Sequence, residues 1–221
     1  QFDLSDYDVV ISVSASFAKG VIVKPGTKHI CFCLTPPRFL WSGGQKFAEE
    51  FGYPWLLRKI MPPFITYERI WDQAAAKRVD EFWAISKFVQ QRINKYYRRE
   101  SHLIYPPIDT NKFQVSSSKI QEYFLMVGRL VPYKRFDIAV EAFNWLGWPL
   151  KIVGVGPQLN KLKSIARPNI EFLGGVSDDE LVSLYQKTKA VIFPQVEDFG
   201  IVPLEAMACG RPVIAYADGG A

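Results

Sequence analysis

Residues 197 to 210, EDFGIVPLEAMACG, place two glutamates, Glu197 and Glu205, eight positions apart. The apolar run AVIFP at 190–194 comes shortly before them and is typical of a buried strand. Carboxylate oxygens accept hydrogen bonds, so two of them at the edge of a sheet suit a ligand rich in hydroxyl groups. The pair therefore indicates a site for a sugar.

A second segment, VGRLVPYKRFD at 127–137, combines a glycine with two cations. Gly128 ends a predicted strand, Arg129 follows at once, and Lys134 precedes the next predicted helix. A glycine lets a ligand approach the backbone, and free N–H groups at the start of a helix favour an anion. One cation alone would indicate only solvated surface charge, but two around this turn fit a diphosphate gripped from two sides.

A third segment, KIVGVGPQL at 151–159, begins like a dinucleotide-binding fingerprint. Gly154 and Gly156 follow a predicted strand, and Pro157 is placed to begin a helix. Leu159 stands where the third glycine of the fingerprint is required, which weakens an interpretation as an NAD site. The glycines would let a flat base lie against the backbone, although a tight β–α turn explains this motif better when it is taken alone.

Glu205 has a structural explanation that competes with a role in binding. Pro203 and Gly210 fit the start and the end of a helix, so Glu205 is expected in its first turn. The helix dipole would stabilise a carboxylate there by about 0.3 to 1 kcal/mol. A capping box is excluded because Val202 stands where Ser or Thr is required. Cations for a diphosphate and carboxylates for sugar hydroxyls together indicate a nucleotide sugar.

The elements that must position these residues alternate regularly in the second half of the chain. Continuous apolar runs predict strands buried on both faces, and the alternation with helices predicts a doubly wound α/β domain with a parallel sheet. The predicted strands are 123–127, 149–153, 169–173, 190–194 and 212–216, and the predicted helices are 136–146, 157–166, 178–188 and 203–209.

The first half is less regular, with proline- and aromatic-rich stretches that resist assignment. Its predicted strands are 8–14, 29–35 and 81–86, and its predicted helices are 45–51, 64–78 and 87–98. The segment LIYPPIDTNKF at 103–113 has the composition of a linker. We therefore expect a first domain over 1–108 and a second over 109–221, both α/β, with the chain beginning and ending inside a longer protein.

Composition excludes several classes of protein. The chain has 221 residues, 48% hydrophobic residues, a net charge of +5 and a pI near 9.0, which suit a globular domain with a real core. The three cysteines lie in apolar runs and form no zinc motif, so we expect buried reduced thiols. No apolar run reaches the roughly 18 to 20 residues that span a bilayer, and residues 1–8 do not form a signal peptide, so a cytoplasmic location is expected.

At this point a family resemblance becomes specific. The segments GRLVPYKRFD and GGVSDDELVSLYQKTKAVIFPQVEDFGIVPLEAMACGRPVIA resemble the donor-binding half of retaining glycosyltransferases of the GT-B fold, family 4, also called group 1. Their signature of two glutamates separated by seven residues is met by Glu197 and Glu205. The segments SVSASFAKGVIV, HICFCLTPPRFLW and FWAISKFVQQRI are similar to mannosyltransferases of that family that build O-antigen and exopolysaccharide chains.

The resemblance implies a role for each site residue. Arg129 and Lys134 would neutralise the donor diphosphate, Glu197 would contact the transferred hexose, and Glu205 would accept from the ribose hydroxyls. In addition, Phe199, Gly200 and Ile201 would bring backbone close to sugar and phosphate, while Gly154, Gly156, Gly174 and Val176 would border the base.

The resemblance also implies the reaction. The enzyme would move a hexose, with mannose expected, from a nucleotide-diphosphate sugar such as GDP-mannose or a UDP-sugar to a glycan or lipid-linked acceptor, with retention. No Asp-x-Asp motif is found, since SDDE at 177–180 has the wrong spacing and better fits a helix start, so no metal or other cofactor is expected. The mixed aromatic and cationic stretch 53–71 suits an interfacial surface, which would place the protein peripherally at the inner face of the membrane; it equally suits an acceptor cleft or ordinary core.

The sequence also departs from the family pattern. Leu34 stands where many members have a histidine near the reacting sugar, and His29 and His102 are better explained as a strand-start residue and a surface residue. Binding of a nucleotide sugar without turnover is therefore the main alternative. An NAD-dependent oxidoreductase leaves Glu197 and Glu205 unexplained, and a nucleic-acid binder is disfavoured because the positive charge is dispersed.

Overall fold

The computed structural model describes residues 3–42 and 54–221, in two compact units. The first unit comprises Gln1–Pro106 and the second Pro107–Gly219, with the last two residues divided between them. The boundary expected from the linker composition, 108/109, lies two residues further along the chain. Both units are parallel α/β structures, so the predicted fold class is confirmed.

Within its described residues, the first unit contains a parallel sheet of four strands that lie in chain order. These are β1 (Val9–Ser14), β2 (Lys28–Cys33), β3 (Glu81–Ala84) and β4 (His102–Leu103), with the helices α1 (Arg38–Trp41), α2 (Trp55–Lys77) and α3 (Lys87–Tyr97). The first three strands were predicted, whereas the two-residue β4 was not. His29 is fully buried in β2 and His102 is exposed at the start of β4, as expected for a strand-start and a surface residue.

Helix α2 is longer than the sequence predicted. The prediction began it at residue 64, directly after Pro62 and Pro63. A proline inside a helix removes an N–H group from the helical ladder and crowds the preceding turn. The structure instead continues the helix through both prolines back to Trp55. The predicted helix 45–51 lies outside the described residues.

The second unit has strands β5 (Phe124–Val127), β6 (Leu150–Val153), β7 (Ile170–Gly174), β8 (Val191–Phe193) and β9 (Val213–Ala215). Its helices are α4 (Phe136–Leu146), α5 (Leu159–Ile165), α6 (Asp178–Lys187) and α7 (Ile201–Ala208). All five strands are parallel and begin and end within one residue of the predicted positions. The order of the strands across the sheet is β7-β6-β5-β8-β9.

Both faces of this second sheet are covered. Neighbouring residues on β5 point in opposite directions, so that Met126 packs with α4 and α5 while Leu125 packs with α6 and α7. The continuous apolar runs of β5, β6 and β8 therefore reflect burial on two faces, as predicted, whereas Ile214 and Ala215 of the edge strand β9 are exposed. Ser177 and Glu180 form a capping box at the start of α6, which confirms SDDE as a helix start.

A buried charge network fixes the loops that follow β1 and β2 in the first unit. Asp72 of α2 is fully buried and accepts from Lys19, from Trp41 Nε1 at 2.8 Å and from Tyr97 Oη at 2.8 Å. These contacts compensate the desolvation of the carboxylate and join four separate elements of the chain. Leu34 is half-buried directly after β2, where its N–H donates to the Ser14 carbonyl at 2.8 Å.

The first unit also exposes much apolar surface. A groove of about 950 Å³ runs between the outer face of β1 and the side chains of Tyr67 and Trp71 on α2. Six large side chains of α2 are between 49% and 67% exposed: Trp55, Leu56, Ile60, Phe64, Tyr67 and Ile70. Among the described helices, none combines the length and the hydropathy needed to cross a bilayer. All three cysteines are buried and none of them forms a disulfide, as predicted.

Candidate functional site

The strand order of the second sheet creates one place where a ligand is expected. The chain leaves β5 for β6 and β7 on one side, then returns to place β8 and β9 on the other side. Because successive connections leave β5 and β8 on opposite faces, a crevice opens outside the carboxyl ends of these two strands. The segments with Arg129 and Lys134 follow β5, and the segment with Glu197 follows β8. The residues singled out in the sequence therefore converge on this switch point.

Lys134 and Glu197 meet directly at this crevice. The Lys134 ammonium forms an ion pair with Oε1 of Glu197, and the two side chains are 18% and 16% exposed. Lys134 ends a short 3₁₀ turn, Pro132–Lys134, and its ammonium lies 5.5 Å from the centre of the Tyr133 ring. Partial burial strengthens the attraction relative to a solvated pair, so each group is held in place by the other.

Arg129 is placed differently from Lys134. Gly128 adopts a φ of +154° at the end of β5, and Arg129 is exposed immediately after it. The chain then buries Leu130 and Val131 before the 3₁₀ turn. This leaves the guanidinium accessible at the same sheet edge as Lys134, as a grip on a diphosphate requires.

Gly154 and Gly156 are explained by close packing of two loops. A Cβ atom on Gly154 would lie 1.8 Å from the Gly128 carbonyl oxygen, and one on Gly156 would lie 2.5 Å from the Leu130 carbonyl oxygen. The N–H of Gly154 donates to the Gly174 carbonyl at 2.7 Å, which ties three loops together. The tight-turn interpretation is thus confirmed for this motif. The predicted helix start at Pro157 was wrong, because α5 begins at Leu159.

The next loop along the sheet contains Gly174 and Val176. Gly174 ends β7 with a φ of +71°, and Val176 is half-buried two residues later. A cavity of about 360 Å³ borders Gly175 and Val176 and extends under α6. The loops after β5, β6 and β7 therefore form a continuous rim at the carboxyl edge of the sheet.

Helix α7 begins two residues earlier than predicted. Gly200 precedes it with a φ of +91°, and Ile201 is its first residue, while Pro203 is third. Glu205 is consequently the fifth residue, outside the first turn, so the helix-dipole explanation for this carboxylate was wrong. The first turn of any helix presents N–H groups that have no partner within the helix, and in α7 this turn follows directly after Phe199 and Gly200, which favours an anion there.

Glu205 is held by a partner that the sequence did not indicate. Its Oε2 accepts from the Tyr185 hydroxyl at 2.8 Å. Burial raises the pKa of Glu205, while the Tyr185 hydrogen bond and nearby Lys112 act in the opposite direction. No sequence signal identified Tyr185, since a tyrosine on the inner face of a helix is ordinary core.

Gly219 is a second site residue that sequence reasoning missed. It forms an isolated parallel bridge with Glu197, and a Cβ atom at Gly219 would lie 2.7 Å from the Glu197 carbonyl oxygen. With a φ of +98°, this position favours glycine. The Gly-Gly pair after β9 was a visible signal, but its contact with the loop after β8 depends on the strand order.

Comparison with known proteins finds a family match over the second unit. The family described as Glycosyl transferases group 1 matches residues 107–221. A glycosyltransferase of Methanocaldococcus jannaschii, itself uncharacterized, is 30% identical over 151 residues, which cover 66% of this chain and 42% of the relative. A GDP-mannose-dependent phosphatidylinositol monomannoside mannosyltransferase of Mycobacterium tuberculosis is 30% identical over 168 residues, covering 62% of this chain and 44% of the relative.

Solved structures show the same fold. HepE from Anabaena in complex with UDP-glucose has a TM-score of 0.65 and 21% identity, covering 86% of this chain and 60% of that one. Sucrose-phosphate synthase from Thermosynechococcus elongatus has a TM-score of 0.72 and 18% identity, and the match covers 97% of this chain and 57% of that one. The chain thus spans about two fifths of the length of the curated relatives named above.

The close packing around Gly154 predicts that a side chain at this position destabilises the second unit. Replacing Gly154 by alanine should destabilise the second unit by more than about 3 kcal/mol, because a Cβ atom would overlap the Gly128 carbonyl at a backbone φ that disfavours side chains. Urea unfolding followed by circular dichroism measures the effect.

Gly175 provides the matched control in the neighbouring loop. A Cβ atom there meets no atom within 4 Å, so Gly175→Ala should change stability by less than about 1 kcal/mol. Equal stability of the two variants would show that the loops after β5 and β6 do not pack as described.

Proposed function

Because the chain belongs to the group 1 glycosyl transferases, the family predicted from its motifs, we propose that its second unit binds a nucleotide-diphosphate sugar and that the protein transfers the sugar to an acceptor. The observation that carries this proposal is the meeting of Lys134 and Glu197 at the switch point of the second sheet, beside the exposed Arg129. A cation next to a carboxylate matches a ligand in which a diphosphate is bonded to a polyhydroxylated ring.

The diphosphate is assigned to the two cations and to the start of α7. Arg129 and Lys134 approach from the loop after β5, while the N–H groups around Phe199, Gly200 and Ile201 approach from the other side of the crevice. Guanidinium and ammonium groups form charge-assisted hydrogen bonds with phosphate oxygens, roughly twice as strong as neutral ones. The crevice thus offers donors on both of its walls.

The sugar is assigned to Glu197. Glu197 forms its ion pair with Lys134. A diphosphate competes for the ammonium, and its binding releases the carboxylate to accept hydrogen bonds from the hexose hydroxyls. Glu205 is assigned to the ribose, and the loops with Gly154, Gly156, Gly174 and Val176 to the base.

The same groups support the chemistry of transfer. When the anomeric C–O bond breaks, its electron pair stays with the diphosphate while the sugar becomes electron-poor. An acceptor hydroxyl then forms the new bond and gives its proton to the departing diphosphate oxygen. Arg129 and Lys134 lie at the sheet edge where this negative charge would develop, and cations placed there lower the barrier. We propose that the transfer proceeds with retention, on one face of the sugar, and that these cations replace a metal ion.

We propose GDP-mannose as the donor, and a UDP-sugar is the alternative donor. The M. tuberculosis relative is named for GDP-mannose, whereas the HepE structure contains UDP-glucose. The alternative of donor binding without turnover is favoured by one observation, the apolar Leu34 at the carboxyl end of β2.

The proposal predicts selective binding by the second unit. Isothermal titration of the chain with GDP-mannose, UDP-glucose, GDP and UDP, in EDTA, should show one base preferred. Arg129→Ala and Lys134→Ala should each weaken binding about 10- to 100-fold, the cost of a lost charge-assisted hydrogen bond. Glu197→Ala should weaken binding of the nucleotide sugar but not of the free nucleoside diphosphate, because Lys134 no longer pairs with a carboxylate and can still bind the diphosphate.

Lys163→Ala is the control, since Lys163 is an exposed cation on α5 away from the crevice. The absence of binding to all four compounds, or equal losses in Lys163→Ala and Lys134→Ala, would contradict the proposal. Radiolabel transfer from the preferred donor to bacterial lipid extracts then separates an enzyme from a module that only binds.

We further propose that the acceptor is a glycan or a lipid-linked sugar reached at an anionic membrane surface. The relative from M. tuberculosis is named for a phosphatidylinositol monomannoside acceptor, and an O-antigen chain mannosyltransferase of Salmonella typhimurium is 28% identical over 160 residues. The first 106 residues contain 15 Lys and Arg against 10 Asp and Glu, so this unit carries the whole net charge of +5. The exposed apolar stripe of α2 lies in this basic unit, a combination that suits the headgroup region of a peripheral bilayer contact.

Vesicle sedimentation tests the membrane assignment. The chain should sediment with vesicles that contain 30% phosphatidylglycerol. The double change Phe64→Asp with Tyr67→Asp should reduce the partition coefficient more than about 10-fold, since two aromatic rings that are exposed in the protein would no longer be buried in the membrane. Trp145→Asp, at a side chain that is 85% exposed in the second unit, should leave partition unchanged. Equal behaviour of the two variants would rule out α2 as the contact.

A further inference from the structure

Glu205 and Tyr185 form a contact that joins the candidate site to the core of the second unit. Tyr185 lies on α6 with a fully buried side chain, and its hydroxyl donates to Oε2 of Glu205 at 2.8 Å. The Tyr185 ring packs edge-on against Phe113, with ring centroids 6.0 Å apart, within the cluster that also contains Leu125 and Val191. A ring enclosed in this way cannot turn away, so the hydroxyl has a fixed position.

The carboxylate of Glu205 has two oxygens, and Tyr185 occupies one of them. Glu205 itself is half-buried on α7. A carboxylate rotating freely would present its oxygens in many directions, and would pay for ordering when a ligand binds. Fixing Oε2 fixes the plane of the carboxylate and therefore the direction of Oε1.

We propose that Tyr185 is a positioning residue for the nucleotide, whose hydroxyl holds Oε2 of Glu205 and so presents Oε1 to the vicinal hydroxyls of the ribose. This inference rests on the proposed function, because it takes the assignment of Glu205 to the ribose as its starting point. Tyr185 does not touch the ligand and acts through Glu205.

The charges around Glu205 show why this donor matters. Tyr185 and Asp178 face it from α6, and Lys112 faces it from the segment before β5, where Lys112 also pairs with Asp178. Burial is the main cause of the raised pKa of Cys209 at the end of α7, and the charge of Glu205 raises that pKa as well. Burial raises the pKa of Glu205, whereas the Tyr185 hydrogen bond and Lys112 lower it.

The phenol is suited to its role as donor. Burial, followed by the charge of Glu205, raises the pKa of Tyr185, so the hydroxyl keeps its proton throughout the range in which the protein works. Removing this donor takes away one of the contacts that lower the pKa of Glu205 against the effect of burial, so that pKa must rise further. Glu205 is ionised above its pKa, and ligand binding that needs the carboxylate is therefore lost as pH falls through that value.

Tyr123 offers a matched control in the same cluster. It is 4% exposed, and its hydroxyl donates to the Leu184 carbonyl at 2.9 Å rather than to a carboxylate. Both Tyr185→Phe and Tyr123→Phe remove one buried hydrogen bond and keep the ring. Only Tyr185→Phe removes a donor from Glu205, so a difference between the two variants reports on the carboxylate.

The first readout is the titration of Glu205 itself, without ligand. In protein labelled with ¹³C at the glutamate side-chain carboxyl, Glu205 is assigned from Glu205→Gln and followed by NMR between pH 4 and 8. Tyr185→Phe should raise the midpoint by about one to two pH units, the value of a hydrogen bond to a charged group. Tyr123→Phe should leave it unchanged, and an equal midpoint in both variants would overturn the inference.

The second readout is binding of UDP and GDP between pH 5.5 and 8.5 by the full chain. Tyr185→Phe should bind the preferred nucleotide at least about threefold more weakly at pH 8 and lose binding at a higher pH than the unsubstituted chain or Tyr123→Phe. Glu205→Gln should bind weakly at every pH. A Tyr185→Phe profile that superimposes on that of Tyr123→Phe overturns the inference and leaves the proposed function intact, whereas no binding of either nucleotide by the unsubstituted chain overturns both.

Discussion

The contact between Lys134 and Glu197 depends on one topological constraint: the chain adds β6 and β7 on one side of β5 and then adds β8 and β9 on the other side. The two residues are 63 positions apart in sequence, and only the placement of β8 next to β5 brings their loops together. The same strand order places the rim of glycines on one side of the crevice and the start of α7 on the other. Every residue assigned to the donor therefore depends on the order of the strands.

Two kinds of glycine support this arrangement for different reasons. Gly154 and Gly156 are needed because backbone carbonyls of the loop after β5 approach them closely. Gly219 is needed because the backbone of Glu197 pairs with it. The glycines thus serve close packing between the loops at this edge of the sheet.

Much of the second unit follows from its sequence pattern, because continuous apolar runs and turn residues specify buried parallel strands with little ambiguity. The candidate residues at the switch point were also visible, since Arg129, Lys134 and Glu197 are not required by packing. What the pattern does not contain is long-range contact: the bond from Tyr185 to Glu205, and the bridge from Gly219 to Glu197, follow from strand order. Local rules also failed at three helix starts: Pro157 and Pro203 were taken as the first residues of α5 and α7, which begin at Leu159 and Ile201, and α2 begins at Trp55 rather than at residue 64.

Chemical-shift mapping of backbone amides tests most directly whether the switch point is the donor site. On titration with the preferred nucleotide, UDP or GDP, the largest changes should fall in the loops after β5, β6, β7 and β8, at Arg129 to Lys134, Gly154 to Gly156, Gly174 to Val176 and Phe199 to Ile201. Shifts confined to the first unit, or scattered over the second unit without these four loops, would contradict the assignment of this crevice to a nucleotide sugar.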